Sequence, residues 1–315
     1  MTLGRYSFIF LILLTSFSCQ EPVDLDIEVS DDSLVIYSLF SSDEPNILSH
    51  FDVEVYESKG ILEDETPTFV EDAEVKIRLS EDQEGETLAL TSLFNHTFYR
   101  SEGKPEEGKY YEIEAAKVGY PTVFAKSFVP LGVNILNPEI SNFTNKQSIY
   151  LGNLEHRFNL TFEIQDYEEF NNYYHLLVYY RRKALGPDTP ILNHTVGFDS
   201  SQQLKDPDIM IINEANEFFG AHIKDDHFNG ERKTFDFDLR FLLDENLRLQ
   251  DLELEIELRS VSEDYYRFYQ EANRLIHTGD NPFFSDAGTI SNNIENGYGI
   301  FAGYSVRRHV TTIEE

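Results

Sequence analysis

Apolar and polar side chains alternate with a period of two through much of this chain. The clearest alternating segments are Phe51–Glu57, Val75–Leu79, Tyr111–Ala115, Phe158–Ile164, Phe235–Phe241 and Leu252–Leu258. Such alternation is typical of a β-strand with one buried and one solvated face. Leu34–Phe40 and Tyr173–Tyr180 are instead almost continuously apolar or aromatic, as expected of strands in the middle of a sheet. The pattern predicts a mainly β protein.

Turn residues break the first part of the chain into short strands. We predict a turn at Gly119–Pro121 and expect Pro130 to close the unit. About seven strands over roughly 100 residues is the size of an immunoglobulin-like sandwich. We therefore predict an immunoglobulin-like or transthyretin-like β-sandwich domain over residues 33–130.

We predict that residues 131–315 form a larger β-rich domain with a single helix near 262–278. Ser262 can cap the helix N-terminus, two acidic residues follow it in the first turn, and Gly279 ends the helix. Aromatic and aliphatic residues recur on one broad face of this segment. That face is the one expected to pack on a sheet.

The amino-acid composition limits which classes of partner the protein can bind. The 315 residues carry a formal net charge of -32, and 21 acidic but only 3 basic side chains lie between Glu21 and Glu86. Phosphate binding needs clustered Lys and Arg, so we expect no nucleic-acid partner. Aromatic residues make up 14% of the chain, all of them Phe and Tyr. They can pack in the core, or some can form an exposed platform for a partner or a glycan.

The N-terminus has the layout of an export signal. Arg5 supplies a positive charge, and the apolar run Tyr6–Leu14 is far shorter than the ~20 residues that a membrane-spanning helix needs. The only Cys of the chain, Cys19, follows the small residue Ser18 where the apolar region ends. This arrangement predicts a lipoprotein signal peptide at residues 1–18 and a lipidated Cys19.

An ordinary secretory signal with a chance Cys is the alternative, because Phe17 is larger than the residues usual before a lipidated Cys. A lone Cys in an exported chain would then be a free thiol. The acidic residues 19–32 have no helical apolar stripe and are predicted to be a tether. Acyl chains contribute about 0.8 kcal/mol per buried CH₂, so several of them anchor a protein without a spanning helix.

One loop partly matches a calcium-binding loop. Asp225, Asn229, Gly230 and Asp236 fall at its first, fifth, sixth and twelfth positions, but His227 stands at the third position, where an oxygen ligand is usual. The alternative is a hairpin turn before the strand at Phe235, because Asn-Gly strongly favours such turns. The sequence leaves both interpretations open.

No other pattern supplies a reactive site, so we expect no catalytic, cofactor-binding or metal-binding residues and no enzyme. A single Cys excludes a disulfide within the chain and a zinc site with two thiolates. His222 and His227 lack a third ligand at a recognisable spacing. Asp236 and Asp238 alternate with apolar residues, which predicts a solvated sheet face. Gly297–Gly303 is predicted to be the glycine-rich start of the last strand rather than a dinucleotide loop.

A set of motifs along the chain after Cys19 resembles one family. They are Leu34–Tyr37, Val70–Ile77, Gly108–Ile113, Val118–Pro121, Leu258–Tyr266, Asn281–Phe284 and Ser291–Tyr304. Together they resemble a family of Bacteroidota-type outer-membrane lipoproteins, domain of unknown function four-two-four-nine. The block at Ser291–Tyr304 is the most specific part of this resemblance.

Members of that family are typically encoded beside TonB-dependent receptors of the starch-utilisation type. The resemblance therefore implies a lipid-anchored accessory lipoprotein of the outer membrane that partners a TonB-dependent β-barrel receptor in ligand capture or uptake. The acidic residues just after Cys19 resemble surface-export signals of some Gram-negative lipoproteins, so we expect the protein to face the cell exterior. It implies no substrate and no catalytic residues. Two alternatives stay open: a structural subunit of a larger outer-membrane assembly or secretion complex, and a hydrolase with an unrecognised acid pair.

Overall fold

The computed structural model describes residues 33–42, 50–58, 67–82, 84–93, 95–147, 154–168, 171–183, 193–213, 219–243, 248–278 and 291–313. The predicted signal peptide, Cys19 and the predicted tether lie outside the described residues, as do Gly279 and the motif Asn281–Phe284.

The described residues are mainly strands. In chain order these are β1 (Leu34–Ser41), β2 (Asp52–Glu57), β3 (Glu74–Leu79), β4 (Glu86–Thr87), β5 (Ala89–Leu93), β6 (His96–Arg100), β7 (Tyr110–Ala116), β8 (Val123–Phe128), β9 (Leu136–Gln147), β10 (Leu154–Gln165), β11 (Tyr173–Arg182), β12 (His194–Thr195), β13 (Gly197–Phe198), β14 (Ile209–Ile212), β15 (Gly220–Lys224), β16 (Arg232–Leu243), β17 (Leu252–Val261), β18 (Ile294–Glu295) and β19 (Tyr298–Thr312). The α-helix α1 covers Glu263–Thr278, and short 3₁₀ segments cover Ser200–Leu204 and Leu249–Asp251. The mainly β prediction, with one helix late among the described residues, is confirmed.

A ten-stranded sheet forms the centre of the fold. Its order is β14-β15-β11-β17-β19-β1-β2-β6-β5, and β12 pairs with β11. β19 pairs in parallel with β1, with Val35 opposite Tyr298 and Ser41 opposite Tyr304. Residues 300–306 of β19 are all buried. A strand in the middle of a covered sheet is buried on both faces, so apolar and polar residues need not alternate along it.

A five-stranded sheet, β18-β8-β7-β3-β4, covers one part of the central sheet. Ile36 and Phe40 of β1 and Phe301 of β19 share a buried core with Ile113 and Val123 of the five-stranded sheet. This is the sandwich packing that the alternation predicts. The domain boundary at residue 130 stays a prediction, and the central sheet runs across it because β1 lies beside β19.

A four-stranded sheet, β13-β16-β10-β9, packs on another part of the central sheet. Its core is aromatic: the ring of Phe162 lies 5.3 Å from that of Phe235 and 6.2 Å from that of Phe237, measured between centroids. Leu176 and Val178 of β11 join the same cluster. Burying each such ring contributes roughly 1.5–3 kcal/mol. The four-stranded sheet therefore supplies much of the folding stability of the second half of the chain.

The long edge strand β9 is interrupted in a way that protects it. Asn137 and Asn142 have positive φ angles of 49° and 53°. The pairing of β9 with β10 shifts register near these positions, between Arg157 and Asn159 and between Thr161 and Glu163. Asn adopts the left-handed region more readily than most residues. The resulting bulges break the flat edge that would otherwise pair with another chain.

The helix α1 lies against the central sheet. Ser262 caps it as predicted: the Tyr265 amide donates to Ser262 Oγ at 3.4 Å. Tyr265, Tyr266 and Tyr269 are buried in a cluster with Ile300 and other residues of β19. The aromatic stripe read from the sequence is therefore the packing face.

In the described segments no helix combines the length and the apolarity that crossing a bilayer requires.

Glycines allow β1 and β19 to approach closely. Gly299 has a φ of 113°, and a Cβ atom there would overlap the Ile36 carbonyl oxygen. A Cβ on Gly303 would crowd the Phe128 carbonyl oxygen at 2.5 Å. The prediction that Gly297–Gly303 begins the last strand is confirmed, since β19 starts at Tyr298.

Candidate binding cleft

A cleft of about 1240 Å³ opens between three parts of the described structure. Strands β7 and β8 form one wall, the connection after β10 forms the second, and the start of α1 forms the third. Two other cavities, of about 420 and 320 Å³, lie on the outer faces of the five-stranded and four-stranded sheets. A concave site with aromatic and polar groups is the usual location of a ligand, so this cleft is the candidate site.

The first wall is apolar and exposed. Tyr110 and Leu131 on this wall, and Tyr167 on the second wall, are 43% to 48% exposed. The alternation of β7 and β8 explains part of this, because Tyr111 points into the core while Tyr110 lies on the other face opposite Phe128. The rings of Tyr110 and Phe128 are 4.6 Å apart. Large apolar groups left in contact with water around a cavity mark an interaction site.

The Tyr110 ring already binds a cation. Lys126 Nζ lies 5.4 Å from the ring centroid, and the same ammonium group donates to Glu112 Oε1 at 3.3 Å. A cation at this distance from an aromatic face is attracted by the ring quadrupole. The cleft therefore offers an aromatic surface suited to ammonium or guanidinium groups.

The other two walls are acidic. Glu168 lies on the second wall and Glu263 and Asp264 lie on the third, where Glu263 is paired with Arg267 one turn along α1. Burial raises the pKa of Asp264, and the Glu263 charge adds to this, against a hydrogen bond with Asn293. A positive charge entering the cleft would stabilise this carboxylate.

A buried carboxylate supports the floor of the cleft. Asp166 accepts hydrogen bonds from the Tyr174 hydroxyl and, at 2.7 Å, from the Gly230 amide. Burial raises the pKa of Asp166, and these hydrogen bonds oppose the rise. Nearby, the buried Asp225 accepts from the Asn172 amide at 2.8 Å. The two carboxylates therefore hold the loops that shape the floor.

The suggested calcium loop is arranged differently. Asp225 is engaged by Asn172, whereas Asp236 lies on the solvent face of β16 and accepts from the Asn159 side chain. In the described ranges, no group of three or more His, Cys, Asp or Glu side chains could hold a metal ion. The hairpin alternative is wrong: the turn ending at Gly230 joins β15 of the central sheet to β16 of the four-stranded sheet.

Asp236 and Asp238 are exposed, as predicted for a solvated sheet face. Tyr174 is one of the aromatic residues that pack in the core. It is 1% exposed, and its hydroxyl donates to the buried Asp166. The carboxylate that satisfies it precedes the strand by several residues, and only the folded loop brings the two together.

His222 and His227 lie apart. His227 is largely exposed and bonds through Nδ1 to Asp208 Oδ1 at 2.7 Å. His222 is fully buried and stacks on His175, with ring centroids 3.9 Å apart. Sequence reasoning missed His175, because the contact arises from the register of β11 and β15, which sets His175 opposite His222.

The comparisons with known proteins establish the family. The family model described as "Domain of unknown function (DUF4249)" matches residues 20–309, and the chain belongs to this family. No curated protein matches the chain. A crystal structure of a DUF4785 family protein from Legionella pneumophila subsp. pneumophila str. Philadelphia 1 is 12% identical over 71% of this chain, with a TM-score of 0.23. The match spans about half of that chain, 52%, and carries no argument about fold or function.

Proposed function

We propose that this protein is a lipid-anchored lipoprotein of the outer membrane that captures a ligand at the cell surface for a TonB-dependent β-barrel receptor. The observation that carries the binding role is the cleft of about 1240 Å³, with exposed aromatic groups on one wall and carboxylates on another. A concave site lined by apolar groups and a few polar ones is where a ligand usually binds.

The anchor rests on the N-terminal sequence. Cys19 follows a short apolar run, and the family match begins one residue later, at residue 20. A diacylglycerol on the Cys19 thiol would tie the chain to the membrane through its acyl chains. The acidic tether at 19–32 would repel anionic head groups and hold the β-rich body away from them.

Membrane fractionation and mass spectrometry of the purified protein test the anchor. The proposal predicts a membrane-bound protein whose first residue is an acylated Cys19. Cys19→Ala is the informative variant and Cys19→Ser a matched second one, because both remove the thiol and leave residues 20–315 unchanged. A wild-type protein with an unmodified N-terminus in the soluble fraction contradicts the proposal.

A further inference from the structure

The charged groups of the cleft are strongly unequal in number. Among the described residues that line it, Asp166, Glu168, Glu263 and Asp264 are carboxylates and Lys126 is the only cation. The net charge of the chain, -32, has the same sign. A cationic partner is therefore attracted both at long range and at the site itself, whereas an anionic one is repelled.

The aromatic wall favours the same kind of partner. Lys126 above the ring of Tyr110 shows that this surface holds an ammonium group within the chain itself. The alkyl stem of a lysine or arginine can pack on Leu131 and Phe128, while its charged end reaches toward Glu168. The apolar stem of such a side chain would thus face the aromatic wall, and its charged head group would face the carboxylates.

The size of the cleft decides between a small cation and a longer ligand. Sites for small molecules usually measure about 300–1,000 Å³. The cleft, at about 1240 Å³, exceeds that range. A single amine would leave most of it filled with water, whereas an extended peptide would contact all three walls.

We infer that the cleft binds an extended peptide segment that carries lysine or arginine side chains. This inference rests on the ligand-capture role proposed above and names the class of ligand for that site. The basic side chains lie between the Tyr110–Phe128 surface and the carboxylates of Glu168 and Asp264.

Fluorescence anisotropy with short labelled peptides tests the inference on the full mature chain. The probes are one peptide in which lysine alternates with serine, one in which glutamate replaces lysine, and a labelled neutral oligosaccharide. The lysine peptide is expected to bind, more weakly at high salt, while the glutamate peptide does not. Binding of the oligosaccharide instead, or equal binding of both peptides, overturns the inference.

Matched variants locate the site. The double variant Glu168→Gln/Asp264→Asn is expected to weaken lysine-peptide binding about tenfold or more. The double variant Asp236→Asn/Asp238→Asn makes the same change in net charge on a distant exposed strand face and is expected to leave binding unchanged. Equal loss in both, or in neither, contradicts a site in the cleft.

Two further measurements distinguish a loss of peptide binding from a loss of folding stability and from a loss of receptor association. Tyr110→Ala removes an exposed ring and is expected to weaken binding without lowering the melting temperature. Failure to recover a receptor from membranes would count against the proposed function alone, whereas failure of peptide binding with receptor recovery intact would count against the ligand class alone.

Discussion

The imidazole rings of His175 and His222 stack at 3.9 Å in the protein interior, beneath the helix α1. His175 Nε2 lies 2.7 Å from the Phe219 carbonyl oxygen and Nδ1 lies 2.8 Å from the Tyr265 hydroxyl. Since the carbonyl can only accept, Nε2 carries the proton and Nδ1 accepts from the tyrosine. The histidine thus joins the central sheet to α1 in its neutral form.

This neutral histidine predicts a loss of stability in weak acid. Burial, then the charges of His222 and Arg259, lower the pKa of His175 well below its usual value of 6.5. Below that value the unfolded chain binds a proton that the folded chain does not, so the free energy of unfolding falls as the pH drops from about 6.5 toward 5. Chemical denaturation at several pH values measures this.

The variant His175→Leu provides the control for that pH dependence. It places an apolar side chain beneath α1 and removes one titrating site, so the slope of stability against pH between about 6.5 and 5 should become smaller. Burial raises the pKa of Asp166, which gives the opposite dependence at lower pH. An unchanged slope in His175→Leu would show that other groups cause the loss.

Removing the Tyr174 hydroxyl should destabilise the floor of the cleft. Tyr174→Phe leaves the buried Asp166 carboxylate with one donor fewer, at a cost of about 1–3 kcal/mol in the free energy of unfolding. Tyr180→Phe is the matched control, because its hydroxyl donates to the Leu242 carbonyl at 3.1 Å in a more exposed position. Urea denaturation should show a clearly larger effect for Tyr174→Phe, and equal effects would be contrary to this assignment.

Gly299→Ala should disrupt the pairing of the first and last strands. Its Cβ would overlap the Ile36 carbonyl oxygen, and the backbone has a φ of 113°. We expect a loss of more than about 4 kcal/mol or a failure to fold. Gly119→Ala has a similar φ of 92° but meets nothing within 4 Å, so it should cost only about 1–2 kcal/mol. Thermal melts of the two variants compare steric overlap with backbone strain directly.

The buried ion pairs beside α1 should be costly to break. Glu257 accepts from Arg259 Nε at 2.7 Å and from Arg308 Nε at 2.8 Å. Burial opposes its ionisation, but the two arginines outweigh burial and hold the pKa of Glu257 below its usual value. Glu257→Gln leaves buried positive charge, and we expect a loss of about 3–5 kcal/mol by denaturant unfolding.

An exposed pair is the control for Glu257. Glu74→Gln removes the partner of Lys76 at the surface, and its effect should stay within about 1 kcal/mol. If Glu257→Gln is as mild as Glu74→Gln, the buried pairs do not stabilise the contact between β17 and β19.

The sequence predicted local structure well where one element contains its own signal. The alternation at Phe235–Phe241 lies within β16, and Ser262 caps α1. The contacts that depend on how distant strands are arranged in the sheets could not be predicted. Nothing at Val35 or Tyr298 indicates that these residues pair, because their positions differ by most of the chain length.

The cleft could not be predicted from the sequence either. Tyr110, Glu168 and Asp264 come from three distant segments, and each alone is typical of an ordinary strand, loop or helix N-terminus. The aromatic content allowed either a core or a platform, and the structure contains both: Tyr174 is buried while Tyr110 is exposed. Whether a tyrosine packs in the core or lines the cleft depends on the folded structure and cannot be read from the local sequence.

Affinity purification from detergent-solubilised outer membranes tests the central claim, an anchored subunit of a receptor, most directly. The wild-type protein is expected to recover a large TonB-dependent β-barrel, while Cys19→Ala, released from the membrane, recovers much less. Recovery of the wild-type lipoprotein alone, under conditions that keep other outer-membrane complexes intact, would contradict the claim.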